Sequence, residues 1–333
     1  MHTRLFPLAA TLGVALLAGC LDPSQAGHLV PKTVDQDPAL PQVAFNGSRF
    51  HFQAFGPTDA PVIIMLHGGP GSDHRGLLRL RQAVDGRRLE DRWRVVYWDQ
   101  RGAGLSQRHD AAELTMARYD ADLDWLVDHV SPGRPVWLVG HSWGGMYATA
   151  YLSNHPEKVA GAVLLEPGPL TGALFEEVRD GIVNLDVFAE WLNDYTWATR
   201  ILSPDDHARA DFLQLTALLS PDAQPGFGGR PDDDTVYWRF GVVANQAIQA
   251  DGMAGGKGVW DFTTGLAQTQ APVRLVASSR NEVIGEAFQR RQLGFFSNAD
   301  LVVIDDSGHE FPQTHPAATL RVIFEHLDAG GRQ

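Results

Sequence analysis

The chain has 333 residues, 44% hydrophobic and 20% charged, the balance of a globular protein with a sizeable core, and long enough for one large α/β domain or two modest ones. Its formal net charge of −13 argues against a nucleic-acid partner, because phosphate binding needs clustered Lys and Arg. A single Cys excludes an intramolecular disulfide, and no cluster of soft ligands is present for a metal.

The first twenty residues read as an address. His2 and Arg4 give a weakly positive start, and residues 5–17 form an apolar run broken by Pro7, Thr11 and Gly13. That run is too short to span a membrane and suits a signal peptide. Leu17-Ala18-Gly19-Cys20 resembles the bacterial lipobox. The resemblance implies cleavage after residue 19 and a lipid-anchored Cys20, hence a membrane as partner and the cell envelope as location. Two or three acyl chains make such an anchor stable, where one binds only marginally. Leu21 stands where an Asp would resemble an inner-membrane retention signal, which favours the outer membrane in a Gram-negative cell. Residues 20–42, with Pro23, Pro31, Pro38 and Pro41, read as a tether.

From Val43 the pattern turns α/β. The turn Asn46-Gly47-Ser48 between two strand-like runs predicts an opening hairpin. Residues 62–66 are a continuous apolar run, as in a strand buried on both faces, and 94–98, 136–139, 162–165, 273–277 and 301–304 repeat that character. Helical stretches are expected at 77–89, 116–130, 143–154, 286–294 and 317–327. This alternation predicts an α/β fold with a mostly parallel, doubly wound sheet, its core formed by residues 43–168 and 271–333. Residues 169–270 break the alternation between the sixth and seventh core strands. They are helical in pattern, acidic and aromatic, with Trp191, Tyr195, Trp197, Tyr237, Trp238 and Trp260, and read as a helical cap over a partly apolar pocket.

Three motifs carry chemistry. Gly140-His141-Ser142-Trp143-Gly144 fits the nucleophile elbow G-x-S-x-G, with strand 135–139 before it and a helix after it. The small residues two before and two after allow a sharp strand-to-helix turn. That turn exposes the Ser142 hydroxyl at a helix N-terminus, where negative charge is favoured. His67-Gly68-Gly69-Pro70-Gly71 ends the third strand, and its Gly69 N–H, with that of Trp143, is the expected oxyanion hole. Gly308-His309 follows the last strand, so His309, among thirteen His, has the order and loop expected of the general base. His67 and His141 are expected to shape the site, and His315 to lie on the surface. No zinc-protease motif, phosphate-cradling loop or dinucleotide fingerprint occurs, so neither metal nor cofactor is expected.

Together with Asp99-Gln100-Arg101-Gly102-Ala103-Gly104-Leu105-Ser106, these motifs resemble the prolyl aminopeptidase (proline iminopeptidase) family of α/β hydrolases over residues 43–327. The resemblance implies an α/β-hydrolase fold and a serine hydrolase acting through an acyl-enzyme. Its substrate would be a small peptide losing an N-terminal residue of proline type. Relatives sharing the motif group cleave small-molecule esters, lactones and amides. A non-catalytic envelope lipoprotein that keeps the fold for binding is the alternative from another class. In the 99–106 loop, Arg101 and Asp99 are expected to pair. Carboxylates of the cap are candidates to meet a substrate ammonium: Glu176, Glu177, Asp180, Glu190 and Asp232, Asp233 and Asp234.

One departure stands out. The family places the triad Asp after the seventh strand, and the aligned position here is Asn281. An amide there can favour the wrong imidazole tautomer. Glu282 is adjacent, but neighbouring side chains in an extended loop point different ways. Glu166 directly follows the sixth strand, at the carboxyl end where the site must lie. Some haloalkane dehalogenases resemble this arrangement, with a catalytic Glu at that place and an Asp nucleophile. The expected triad is therefore Ser142, His309 and Glu166, with Glu282 as the rival acid.

Overall fold

The computed structural model describes residues 30–182, 205–218, 225–228 and 237–330. Residues 1–29, with Cys20, lie outside them. So do Glu190, Trp191, Tyr195, Trp197 and the three aspartates 232–234.

The chain opens on a hairpin. Asn46 and Gly47 take φ of 45° and 72°, the two positive values a two-residue turn of matching twist requires. They join β1 (Gln42–Phe45) to β2 (Ser48–Phe55), with Phe45 opposite Ser48. The remaining sheet strands are β3 (Val62–Leu66), β4 (Arg94–Trp98), β5 (Val136–His141), β6 (Val159–Leu165), β9 (Val273–Ser278) and β10 (Ala299–Ile304); β7 (Met253–Ala254) and β8 (Lys257–Gly258) form a separate ribbon. The order across the sheet is β1-β2-β4-β3-β5-β6-β9-β10. All pairs from β4 to β10 are parallel, while β1 and β2 add antiparallel edges. The order reverses at β3, so the loops after β3 and β5 diverge and open the crevice in which α/β sheets bind ligands.

The apolar runs are buried on both faces because alternate side chains feed two cores. Val62, Ile64 and Leu66 join one cluster with Leu123, Leu126, Tyr147 and Tyr151. Ile63 and Met65 join the other with Leu320, Ile323, Phe324 and Leu327. Each such side chain stabilises the fold by about 1.5–3 kcal/mol. The first cluster is supplied by α1 (Met116–Val130), N-capped by Thr115, and α2 (Trp143–Asn154), whose small and aromatic residues are buried along most of its length. The second is covered by α7 (Phe311–Thr314) and α8 (Pro316–Gly330). Between β6 and β9, in the stretch expected to form the cap, the described residues hold α3 (Gly172–Ile182), α4 (Asp206–Leu218), α5 (Val242–Asp251) and the ribbon.

Two expectations are corrected. No helix spans 77–89: Gly76–Arg81 and Leu89–Asp91 are separate 3-10 turns. Between them Asp85 and Gly86 take φ of 53° and 77° and close a tight turn bridging Val84 to Arg87, which no helix tolerates. Nor does Arg101 pair with Asp99. Arg101 forms a two-pronged ion pair with Asp122 of α1 (Nε–Oδ2 2.7 Å, Nη2–Oδ1 2.8 Å). Asp99 instead accepts from His51 Nδ1 (2.9 Å), His74 Nδ1 (2.7 Å) and the backbone N–H groups of His74 and Leu105. Its charges and bonds from His74 and His51 overcome burial and hold it well below the usual carboxylate range. These three residues are a possible metal-ligand group by proximity. Both Nδ1 atoms are committed to Asp99, so the group serves as a hydrogen-bonded pillar.

The C-terminal part of the expected tether lies against the body. Thr33 and Val34 are buried, Val34 N donates to Leu105 O (2.8 Å), and Pro31 O accepts from Arg239 Nη1 (3.0 Å).

Candidate active site

Ser142 stands between β5 and α2 with φ 55° and ψ −118°, a left-handed backbone that a non-glycine residue adopts only under constraint. The glycines around it explain how the turn is built. A Cβ on Gly140 would meet Gly144 O at 2.2 Å, and one on Gly144 would meet Leu66 O at 2.0 Å. Ser142 N is held by Leu165 O (3.0 Å), and Ser142 O accepts from Gly145 and Met146. The side chain is left partly accessible at the N-terminus of α2.

The loop after β3 passes directly beside it. A Cβ on Gly68 would lie 3.2 Å from Ser142 Cβ. Gly69 takes φ 115°, and a Cβ there would press on the Gly71 and Ser72 nitrogens. The loop is tied on both sides. On the core side, Gln100 N donates to His67 Nε2 (3.0 Å) and Gln100 Nε2 to His67 O (3.0 Å), while Gln100 Oε1 accepts from Trp143 Nε1 (3.0 Å). One glutamine thus joins the loop to the elbow. On the cap side, Asn245 Nδ2 donates to Pro70 O (2.7 Å), Gly241 N donates to Gly71 O (2.7 Å), and Asp73 accepts from Trp238 N and Arg239 N. Burial lowers His67 to a pKa of about 4, so it stays neutral and structural.

His309 follows β10 and is buried. Its backbone N donates to Phe227 O (2.7 Å), the Phe227 ring meets its ring edge-on at 5.0 Å, and its carbonyl accepts from His141 Nε2 (2.9 Å). His309 Nδ1 donates to Glu166 Oε2 at 2.7 Å, which leaves Nε2 as the acceptor. Among the described residues Ser142 Oγ makes no hydrogen bond and does not cap α2. Burial works against protonating His309, but the hydrogen bond and charge of Glu166, with the charge of Glu310, raise its pKa above the ordinary histidine value.

Glu166 sits at the end of β6 with φ 45°, fully buried. Its Oε1 accepts from Ser278 N (2.7 Å) and Ser278 Oγ (2.6 Å), and its Oε2 from His309 and from Asn281 Nδ2 (2.8 Å). Burial alone would raise its pKa. The bond and charge of His309 and the two Ser278 bonds outweigh that and lower it, so the carboxylate is ionised. Glu282, by contrast, is exposed and makes no bond to His309.

The structure sets the Gly68-Gly69 loop against Ser142, places the ring of His141, the neighbour of Ser142, 4.7 Å from that of His309, and joins His309 and Asn281 to Glu166. Reasoning from sequence missed Ser278 and Asn281 as donors, Phe227 as the support of His309, and Asn245 as a brace of the Gly69 loop. The signal for the first was present: an acid after β6 needs donors, and β9 ends alongside it in a run of Ser and Asn. Of the cap carboxylates, Glu176 pairs with Arg179 (2.8 Å) and accepts from Gly258 N, and Glu177 pairs with Arg291 (2.5 Å).

Comparison with known proteins fits this geometry. The family described as alpha/beta hydrolase fold matches residues 61–316. A proline iminopeptidase of Arabidopsis thaliana is 33% identical over 159 residues, 45% of this chain and 39% of that protein. A cis-3-alkyl-4-alkyloxetan-2-one decarboxylase of Xanthomonas campestris is 35% identical over 116 residues, 33% of this chain and 37% of that protein. The chain thus spans less than two fifths of the length of these curated relatives. A solved structure of a membrane phospholipase A superposes with a TM-score of 0.62 over 99% of this chain and 100% of that one, at 18% identity, a likeness of fold alone.

Proposed function

The chain belongs to the alpha/beta hydrolase fold family, and we propose that within it the protein is a serine hydrolase working by two-step acyl transfer. The observation that carries this is the strained Ser142 turn at a helix N-terminus, together with a buried His309, its ring 4.7 Å from that of His141, whose Nδ1–H is fixed by an ionised Glu166. His309 Nε2 takes the proton of Ser142, whose Oγ attacks a substrate carbonyl. The oxyanion is received by the N–H groups of Trp143 and Gly69. His309 then protonates the leaving group, and water repeats the sequence to release the acid. No cofactor or metal enters these steps.

The first substrate class is a small peptide with a free N-terminus, proline-type, supported by the motif set and by the resemblance to the Arabidopsis iminopeptidase. The second is a small ester, lactone or amide. The ion pairs of Glu176 and Glu177 favour it, because both carboxylates are already engaged. The resemblance to an oxetan-2-one decarboxylase, whose named substrate is a lactone, supports it too. Prolyl-arylamide with a free amine, its N-acetylated form and a series of short acyl esters should be compared directly. An aminopeptidase turns over the free amine far faster than the acetylated form. Equal rates on the two remove the amine-recognition reading and leave the ester or lactone one. A fluorophosphonate probe that labels nothing would instead favour the non-catalytic binding protein.

We further infer an envelope lipoprotein anchored through Cys20. The support is the lipobox spacing around the sole Cys. Among the described residues no helix is long and apolar enough to cross a membrane. Cys20→Ser should abolish lipidation and release the exported protein from the membrane fraction. Unchanged mass and membrane fractionation in this variant would sink the lipoprotein reading.

A further inference from the structure

Glu166 takes four hydrogen bonds, two on each oxygen, and the donors are not equivalent. Ser278 supplies both bonds to Oε1. On Oε2 the general base and Asn281 meet on a single atom, at 2.7 and 2.8 Å.

The orientation of Asn281 is fixed from behind. Its Oδ1 accepts from the backbone N–H of Val283 (2.9 Å) and of Ile284 (3.1 Å). Flipping the amide would set its NH₂ against two N–H groups and its oxygen against a carboxylate. Nδ2 is therefore directed at Glu166 by the turn that follows, and the side chain is buried. The strand carrying Glu166 is secured from the same side: Gln289 and Gln292 of α6 (Glu286–Gln292) donate to Pro167 O, and Glu166 N donates to Val276 O (2.7 Å).

We propose that Asn281 is a positioning residue for the general base: by occupying one side of Glu166 Oε2 it sets the direction from which His309 Nδ1–H is received, and so the aim of His309 Nε2 at Ser142. The proposal rests on the serine-hydrolase reading and deepens it. It also explains why an amide stands at this place. An Asp at 281 would put a second carboxylate within hydrogen-bond distance of Glu166, and two such groups do not both ionise but hold one proton between them. With the acid on β6, the position after β9 needs a donor that carries no charge.

The test uses the full-length enzyme and the best substrate found above. Asn281→Ala should lower kcat by up to about 10²-fold, the cost of slight misplacement of a catalytic group, with KM nearly unchanged. Ser278→Ala, which keeps the backbone donor to Oε1, should lose less. Asn281→Asp is nearly isosteric and should fold. In it the NMR titration of His309 should no longer be a single step, because the carboxylate pair exchanges its proton in the same range. Wild-type kcat in Asn281→Ala, or a single-step, unshifted His309 titration in Asn281→Asp, overturns the proposal. A wild-type enzyme inert to every substrate and probe overturns the hydrolase reading instead, while the His309 titration still reports whether Asn281 governs that hydrogen bond.

Discussion

Ser142→Ala is expected to cut turnover by an amount on the order of 10⁴-fold or more, with the fold left intact. Both halves follow from local structure. Alanine keeps the Cβ, so the backbone at φ 55° is no more strained than before. The hydroxyl makes no hydrogen bond among the described residues, so none is lost. What disappears is the hydroxyl placed at the N-terminus of α2 beside the Gly68-Gly69 loop. Labelling by a fluorophosphonate probe should vanish together with turnover, at an unchanged melting temperature. Labelling that persists in the variant would move the nucleophile elsewhere.

Glu166→Gln should cost about 10⁴-fold in kcat, the size seen when a triad carboxylate becomes an amide in a serine protease. The amide sets an NH₂ where His309 Nδ1–H and Asn281 Nδ2 both donate, and the imidazole loses the partner that fixes its tautomer. The pH dependence gives a second readout. His309 must be neutral to act as base, and Glu166 raises its pKa. In the wild-type enzyme kcat/KM should therefore fall as pH drops through a midpoint above the ordinary histidine value of about 6.5. Without the Glu166 charge, burial is left as the largest influence and lowers the pKa, so the residual activity of Glu166→Gln should have its acid limb at lower pH. Glu282→Gln should be close to wild type, since that side chain is exposed. The reverse pattern, an active Glu166→Gln and an inactive Glu282→Gln, would transfer the role of the acid to Glu282.

Much of this architecture is written in local chemistry. Asn46-Gly47 specified its hairpin because few other residue pairs accept two positive φ values in succession. The runs at 62–66 and 136–139 specified doubly buried strands because no polar residue interrupts them. Gly140 and Gly144 marked the elbow because neither site has space for a Cβ. Where the reading failed, either a local turn was masked by periodicity or partners distant in sequence decided the outcome. The helix expected at 77–89 has suitable apolar spacing, yet Asp85-Gly86 folds it back, a local signal that the periodicity masked. Asp99 and Arg101 are two residues apart, and their opposite charges suggest a pair. Their partners, His51, His74 and Asp122, are brought in by β2, the Gly69 loop and α1, and no local pattern announces them. Asn281 was noticed as a missing charge. That it is a donor to an acid 115 positions earlier depends on β6 and β9 being neighbours in the sheet.

The bracing of the Gly69 loop bears on how molecules come and go. Residues 238–245, the C-terminal arm of the cap, hold that loop through Asn245, Gly241 and the two N–H groups on Asp73. This arm cannot swing outward as a door without pulling on the loop whose Gly68 lies against Ser142. Any displacement of the arm at 238–245 is thereby coupled to the 70–73 stretch of that loop. Under the proposed acyl-transfer reading, a loop tied on both sides would hold its oxyanion donor in the same place from one turnover to the next.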